Sequence, residues 1–284
     1  LYVEIDVDDL SHLALQDAWQ RLVLRHDMLR AVIDDAGYQR VLAQVPAYQI
    51  ACQDLRHASA AQCEQWQQQV RGDLSHEVHD TTRWPLFRVR AGQLSDRRIR
   101  LCISLANLIC DGRSMVMLLS EWAQLARQPE SELPPLTIRF RDYVLAQEKW
   151  PQRASWNNAL NYWLDRLDAL PAGPLLPLAQ QPEQLETPHF IRREARLSAA
   201  QWSSLRQRAA DAGITPNALL LTVWSQVLAN WSRDPHFTLN LTLFQRPDIH
   251  PQLPMLVGDF TSLGLLACDM RGAADFLTRA AALQ

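Results

Sequence analysis

The chain opens on an alternation, Tyr2-Val3-Glu4-Ile5-Asp6-Val7, in which apolar and polar side chains trade places at every residue. A period of two puts them on opposite faces of a strand with one wet side. The period then lengthens. After Asp8 and Asp9, either of which can cap a helix, Leu13, Leu15, Trp19, Leu22 and Val23 recur at helical spacing to about Arg25. Residues 29–33 and 38–43 read as a hairpin turned at Asp35-Ala36-Gly37. Residues 59–74 form a Gln-rich helical stretch, Trp84-Pro85 interrupts the pattern, and 86–94 and 98–105 read as strands joined through Ser95-Asp96. A helix follows over 112–126, with Met115, Leu118, Leu119 and Trp122 on its inner face.

Residues 129–135 read as a connector, and two more helices are predicted over 138–150 and 155–167. Residues 170–188 carry prolines at 171, 174, 177, 182 and 188 and show no regular period, so they read as a linker. The strand–helix grammar then restarts. Residues 190–197 alternate as a strand, and Ser198 caps a helix to Ala212. Thr215-Pro216 opens a long apolar helix to Trp231, with proline in the first turn, where its missing N–H is harmless. Strands at 237–243 and 262–268 and a helix from Gly272 complete the pattern. Blocks of this kind on both sides of a linker predict two α/β lobes: 1–169, then a linker at 170–189, then 190–284. The tryptophans at 19, 122, 163, 224 and 231 fall on apolar helix faces and are expected in the core.

Composition narrows the function classes. The 284 residues are 48% hydrophobic with a net charge of −3, which offers no basic field for nucleic acid or an anionic membrane. No apolar run approaches the ~20 residues of a bilayer span, and no basic leader precedes the first strand, so a cytoplasmic location is expected. Only 9 glycines are present, too few for the phosphate-cradling loops of nucleotide enzymes. The 5 cysteines show no paired spacing, which argues against a disulfide framework and against zinc. His76 and His79 lie three apart in a polar stretch and read as solvated surface, and no metal site is expected. No Gly-x-Ser-x-Gly elbow marks a hydrolase.

The stretch with most chemistry is Ser104-Leu105-Ala106-Asn107-Leu108-Ile109-Cys110-Asp111-Gly112-Arg113-Ser114, where an apolar strand runs into a turn and a helix starts behind it. On local physics alone Asp111 caps that helix and Gly112 relaxes the turn. The segment resembles the His-His-x-x-x-Asp-Gly core of nonribosomal peptide synthetase condensation domains. It is closer still to the heterocyclization subfamily, which reads Asp-x-x-x-x-Asp-Gly there. Trp84-Pro85-Leu86-Phe87, Leu243-Phe244-Gln245-Arg246, Val257-Gly258-Asp259-Phe260-Thr261-Ser262 and His26-Asp27-Met28-Leu29-Arg30 resemble further segments of that family, in the same order.

The resemblance implies a chloramphenicol-acetyltransferase-like fold, with two lobes in a V and a tunnel between them. Phosphopantetheine arms of upstream and downstream peptidyl carrier proteins would enter it, so no cofactor is bound directly. It implies amide formation with Cys, Ser or Thr, then closure to a thiazoline or oxazoline. Such rings are used in siderophores and other secondary metabolites. Residue by residue, Ala106 stands at the first motif position and Asn107 at the second, while Asp111 and Gly112 match. Arg246 is the arginine expected to hold Asp111 across the lobes through a bidentate guanidinium, which would make Asp111 architectural. Asn107 is left to position substrate, and Ala106, Asp259, Thr261 and Ser262 are expected along the tunnel. Ala106 has no proton to exchange and Asn107 is no base at neutral pH. Two readings therefore stay open: a cyclizing enzyme, or a carrier-binding scaffold without turnover. The chain starts without Met, and the family's later catalytic Thr and Asp have no counterparts before Gln284, so the second lobe is expected to be incomplete.

Overall fold

Alternation and helical period become a sheet with helices on both faces. In a computed structural model, which describes residues 1–186 and 190–284, the strands of the first half are β1 (Tyr2–Asp8), β2 (Ala31–Ile33), β3 (Gln39–Val41), β4 (Ala51–Asp54), β5 (Phe87–Gln93) and β6 (Arg98–Leu105). Its helices are α1 (His12–Arg25), α2 (Ala60–Ser75), α3 (Gly112–Arg127) and α4 (Phe140–Gln147). Then come α5 (Ala154–Leu164), α6 (Ala199–Asp211), α7 (Pro216–Trp231), β7 (His236–Phe244), β8 (Thr261–Asp269) and α8 (Phe276–Ala282). The main sheet runs β1-β6-β5-β4, β2 pairs with β3, and β7 pairs with β8.

Pleating of β6 explains the layers. Ile99, Leu101, Ile103 and Leu105 point into a core closed by Leu15, Trp19 and Leu22 of α1 and Leu118 and Trp122 of α3. Trp19 and Trp122 lie 4.6 Å apart at a 52° tilt, and the indole N–H of Trp122 donates to Leu15 O at 2.8 Å. On the opposite face Cys102 meets Val70 and Leu74 of α2. Toward its other end that face is wet: Arg100 and Arg98 pair with Asp6 and Asp8, their register partners on β1.

The chain divides into two compact units, one of residues 1–153 with 244–262, the other of 154–243 with 263–284. This differs from a single cut at 169/170. Residues 244–262 are folded with the first unit. The proline-rich stretch is not a free tether either, since Pro171 O and Ala172 O accept from Thr238, and Leu175 exchanges hydrogen bonds with Ser232 and Arg233. Proline density marks irregular backbone, and such backbone can still dock. Residues 187–189, including Pro188 and His189, lie outside the described residues.

Other expectations shift for physical reasons. The cap of α1 is Ser11, whose hydroxyl accepts from Ala14 N, while Asp9 adopts a positive φ of 60° and pairs with Arg97. Residues 190–197 form no strand: alternation supplies an amphipathic segment but no ladder partner. The last helix starts at Phe276 behind an Asp275 cap, because Gly272 sits at φ +71°. Trp163, Trp224 and Trp231 are 36%, 58% and 66% exposed, so these three are not core residues. In the second unit the core is instead built from Phe237, Cys268 and Met270, and from Ile214, Ala218 and Ala280.

Glu4, on β1, gathers Arg71, Gln67 and the Tyr2 hydroxyl. Burial favours its neutral acid, but these donors outweigh it and hold the carboxyl at about 2, against an ordinary 4.5. The folded protein thus binds this proton more weakly than the unfolded chain. The resulting stabilisation is complete above about pH 4.5 and fades as pH falls toward 2. Glu4→Gln is expected to lower stability in urea titrations at about pH 7 and to change it little at about pH 2. An equal penalty at both values would assign Glu4 a role in packing alone.

Candidate active site

The site grows from the junction of β6 and α3. After Leu105 the backbone turns, with Ala106 N donating to Leu86 O and Ile109 N closing back on Ala106 O. Cys110 is buried, and desolvation pushes its thiol up to about 12, which removes it as a nucleophile. Asp111 then caps α3, its Oδ1 accepting from Ser114 N at 2.6 Å. A carboxylate at a helix N-terminus meets unpaired N–H groups and the positive end of the dipole.

Residues 244–262 return to this cap. Arg246 Nη2 donates to Asp111 Oδ1 at 3.0 Å and to Ser114 Oγ at 2.7 Å. Phe260 N donates to Asp111 Oδ2 at 3.2 Å, and Asp111 N donates to Gly258 O at 3.0 Å. Ser114 Oγ donates to Gly258 O at 2.9 Å and accepts from Gly258 N at 3.2 Å. The Arg246 guanidinium carbon stands 4.1 Å over the Phe260 ring. Both charged side chains are buried, with 1% of Arg246 and none of Asp111 exposed.

Two details differ from expectation. The contact is made by one guanidinium nitrogen rather than two, leaving Arg246 Nε and Nη1 buried without partners. Arg246 also belongs to the same compact unit as Asp111, so the pair lies inside that unit. Burial of Asp111 favours its neutral acid, but hydrogen bonds from Arg246 and Ser114 prevail and hold its pKa below the ordinary value. A carboxylate so held accepts protons poorly.

Gly112 and Gly258 are sites of close approach. A side chain at Gly112 would meet the Phe244 ring at 3.1 Å, and one at Gly258 would collide with the Phe140 ring. Asn107, by contrast, lies outside the cluster: it is exposed, and its Oδ1 accepts from the nitrogen of Leu1 at 3.3 Å. Ala106 is half-buried. Asp259 turns back to accept from Thr261 N at 3.0 Å, Thr261 is exposed, and Ser262 Oγ is buried without a partner.

Ser114, Phe260 and Phe140 are the participants that sequence reasoning missed. Ser114 carried a signal, since it lies three residues after the cap and so at the position whose N–H the cap accepts. His79 was also misjudged: it is tucked under β6, with Nε2 3.4 Å from Ser104 Oγ.

A buried strand end, a capped helix and a returning segment pinned by one Asp–Arg pair sit in an α/β fold of the chloramphenicol-acetyltransferase-like class, as its solved structural neighbours show. The condensation-domain family model matches residues 2–284, and the chain belongs to that family, whose members form amide bonds. It is 37% identical over 281 residues to pyochelin synthetase PchF of Pseudomonas aeruginosa, covering 99% of this chain and 15% of that protein. It is 34% identical over 299 residues to phenyloxazoline synthase MbtB of Mycobacterium tuberculosis, covering all of this chain and 20% of that protein. Among solved structures, the EpoB cyclization-docking bidomain from Sorangium cellulosum superposes with a TM-score of 0.88 at 35% identity, over 100% of this chain and 56% of that one. The chain therefore spans a fifth or less of the length of these two curated relatives. Among the described residues no helix is long and apolar enough to cross a membrane.

Asp111→Asn would leave the Arg246 guanidinium buried without a counter-charge. The expected loss is about 3–5 kcal/mol of folding stability in denaturant titrations. Adding Arg246→Met is expected to recover most of it, because the uncompensated charge is then gone. Equal losses for the single and double variants would show that capping, and not the ion pair, carries the effect.

Proposed function

We propose that this domain joins a carrier-bound acyl group to a carrier-bound Cys, Ser or Thr and closes the product to a thiazoline or oxazoline. The acceptor amine attacks the donor thioester carbonyl, the C–S bond breaks, and the pantetheine thiol leaves with the amine's proton. The acceptor side-chain thiol or hydroxyl then adds to the new amide carbonyl, and water is expelled. Both substrates arrive on phosphopantetheine arms of upstream and downstream carrier proteins, so the arms are part of the substrate. One observation carries the reading. The segment Gly258-Asp259-Phe260 that closes on Asp111 is the one that resembles the cyclizing subfamily, and the relatives found include a phenyloxazoline synthase and a cyclization domain.

On this reading Asp111 and Arg246 hold the framework and Asn107 orients a carbonyl or the amine by hydrogen bonding. Ala106 contributes space, and Asp259, Thr261 and Ser262 border the substrate path. A second reading, a carrier-binding scaffold without turnover, is favoured by the absence of any titratable side chain at positions 106 and 107.

With both carriers loaded, the full-length protein is expected to give a product that mass spectrometry records as amide minus one water. Asn107→Ala is expected to slow it by about 10–100-fold, the range of one lost positioning hydrogen bond. Carrier binding without amide formation would establish the scaffold reading, and amide without loss of water would limit the activity to condensation.

A further inference from the structure

In α7 the usual polarity of a surface helix is inverted. Its 16 residues, Pro216–Trp231, include no charged side chain. The face it buries is small and partly polar, made of Ala218, Thr222 and Ser225. Thr222 Oγ1 donates to Ala218 O at 2.7 Å, and Ser225 Oγ lies 3.6 Å from Cys268 Sγ of β8. The large apolar side chains Leu220, Val223, Trp224, Val227 and Trp231 are instead exposed. Their spacing of three and four residues sets them in one stripe along the helix. A helix that is apolar all round is built to be buried all round. An open stripe that holds two indoles and no charge marks an interaction surface.

The last residue of the chain is fastened beside this helix. Ala280 of α8 packs with Ile214 and Ala218 in one cluster. Gln284 then grips the start of α7: its Oε1 accepts from Thr215 N at 2.7 Å, and its Nε2 donates to Gly213 O at 3.0 Å. Thr215 is the cap of α7, so residues that follow Gln284 leave from the first turn of the helix. At 1.5 Å per residue the helix is ~24 Å long, a distance that about 7 extended residues span. The β7–β8 pair is likewise short of partners, since a sheet of two strands is marginal alone. The EpoB bidomain that superposes on all of this chain is also longer, the match taking 56% of it. A second copy would have to seat on the stripe past the chain that leaves Gln284 beside it.

We propose that the α7 stripe is the docking surface of the polypeptide that follows Gln284 in the full-length protein, an apolar segment laid along Leu220, Trp224, Val227 and Trp231. The segment covers one side of α7 while β8 covers the other, so Trp224 and Trp231 become core residues of the second unit. Each indole so covered gains the burial that an exposed one forgoes, and the second unit gains a second layer of core. This inference is independent of whether the domain cyclizes.

The test uses the full-length protein carrying Trp224→p-benzoylphenylalanine or, separately, Val227→p-benzoylphenylalanine, irradiated, digested and read by mass spectrometry. The expected cross-link lies within one polypeptide and joins the helix to a peptide after Gln284 in the same domain. A product of doubled mass would overturn the proposal in favour of a dimer. A cross-link to a carrier or another domain would overturn it in favour of a contact between domains. No cross-link from either position in a folded protein would overturn it as well. Hydroxyl-radical footprinting of the unsubstituted full-length protein checks the same face where a variant fails to fold. Trp224 and Trp231 are expected to oxidise as slowly as the buried Trp19 and Trp122. Faster oxidation of Trp224 and Trp231 than of that pair would show a face open to solvent and overturn the proposal.

Discussion

The structure around the motif depends on one buried carboxylate. Asp111 does three things at once: it caps α3, neutralises Arg246 and accepts from the backbone of Phe260. Each bond alone is worth about 1–3 kcal/mol, but together they join segments 135 and 149 residues apart in sequence. A charge this deep is tolerated only when every lone pair is engaged and the counter-charge is also held. Ser114 supplies the missing bonds, linking the guanidinium to both polar groups of Gly258. Steric limits complete the arrangement, because Phe140 and Phe244 stand where side chains at Gly258 and Gly112 would be. The same carboxylate thereby becomes unsuited to proton transfer, and framework and chemistry must rest on different residues.

Legibility in the sequence followed the range of each interaction. Caps, periods and hairpins depend on neighbours within about four residues, so α2, α3, α6, β5 and β6 were readable to within a residue or two. Asp111, Gly112 and Arg246 were readable because their motif segments resemble known ones. The place of Ser114 in the first turn was readable from its spacing to the cap, but its bonds to 246 and 258 were not, since those partners are invisible to a local reading. Trp224 and Trp231 show the converse limit. Helical spacing reveals that a helix has an apolar face, but not what covers it, and here the described residues leave that face open. The units were misjudged for a related reason. A change in local composition marks the proline-rich stretch, whereas residues 244–262 join the first unit through contacts that composition does not record.

The motif's missing base bears differently on the two bond-forming steps of the proposed reaction. Amide formation from a thioester pairs a good nucleophile with a good leaving group. Holding them together supplies effective molarities of about 10⁵–10⁸ M without any proton acceptor. An asparagine at 107 is adequate for that. Ring closure is more demanding, because a weakly electrophilic amide carbonyl must be attacked and water must then leave, which calls for an acid and a base. Neither Ala106, Asn107 nor the Arg246-bound Asp111 can serve as that base. On the proposed reaction, the β6–α3 junction would serve condensation by positioning alone, and the proton transfers of cyclodehydration would fall to side chains away from this junction.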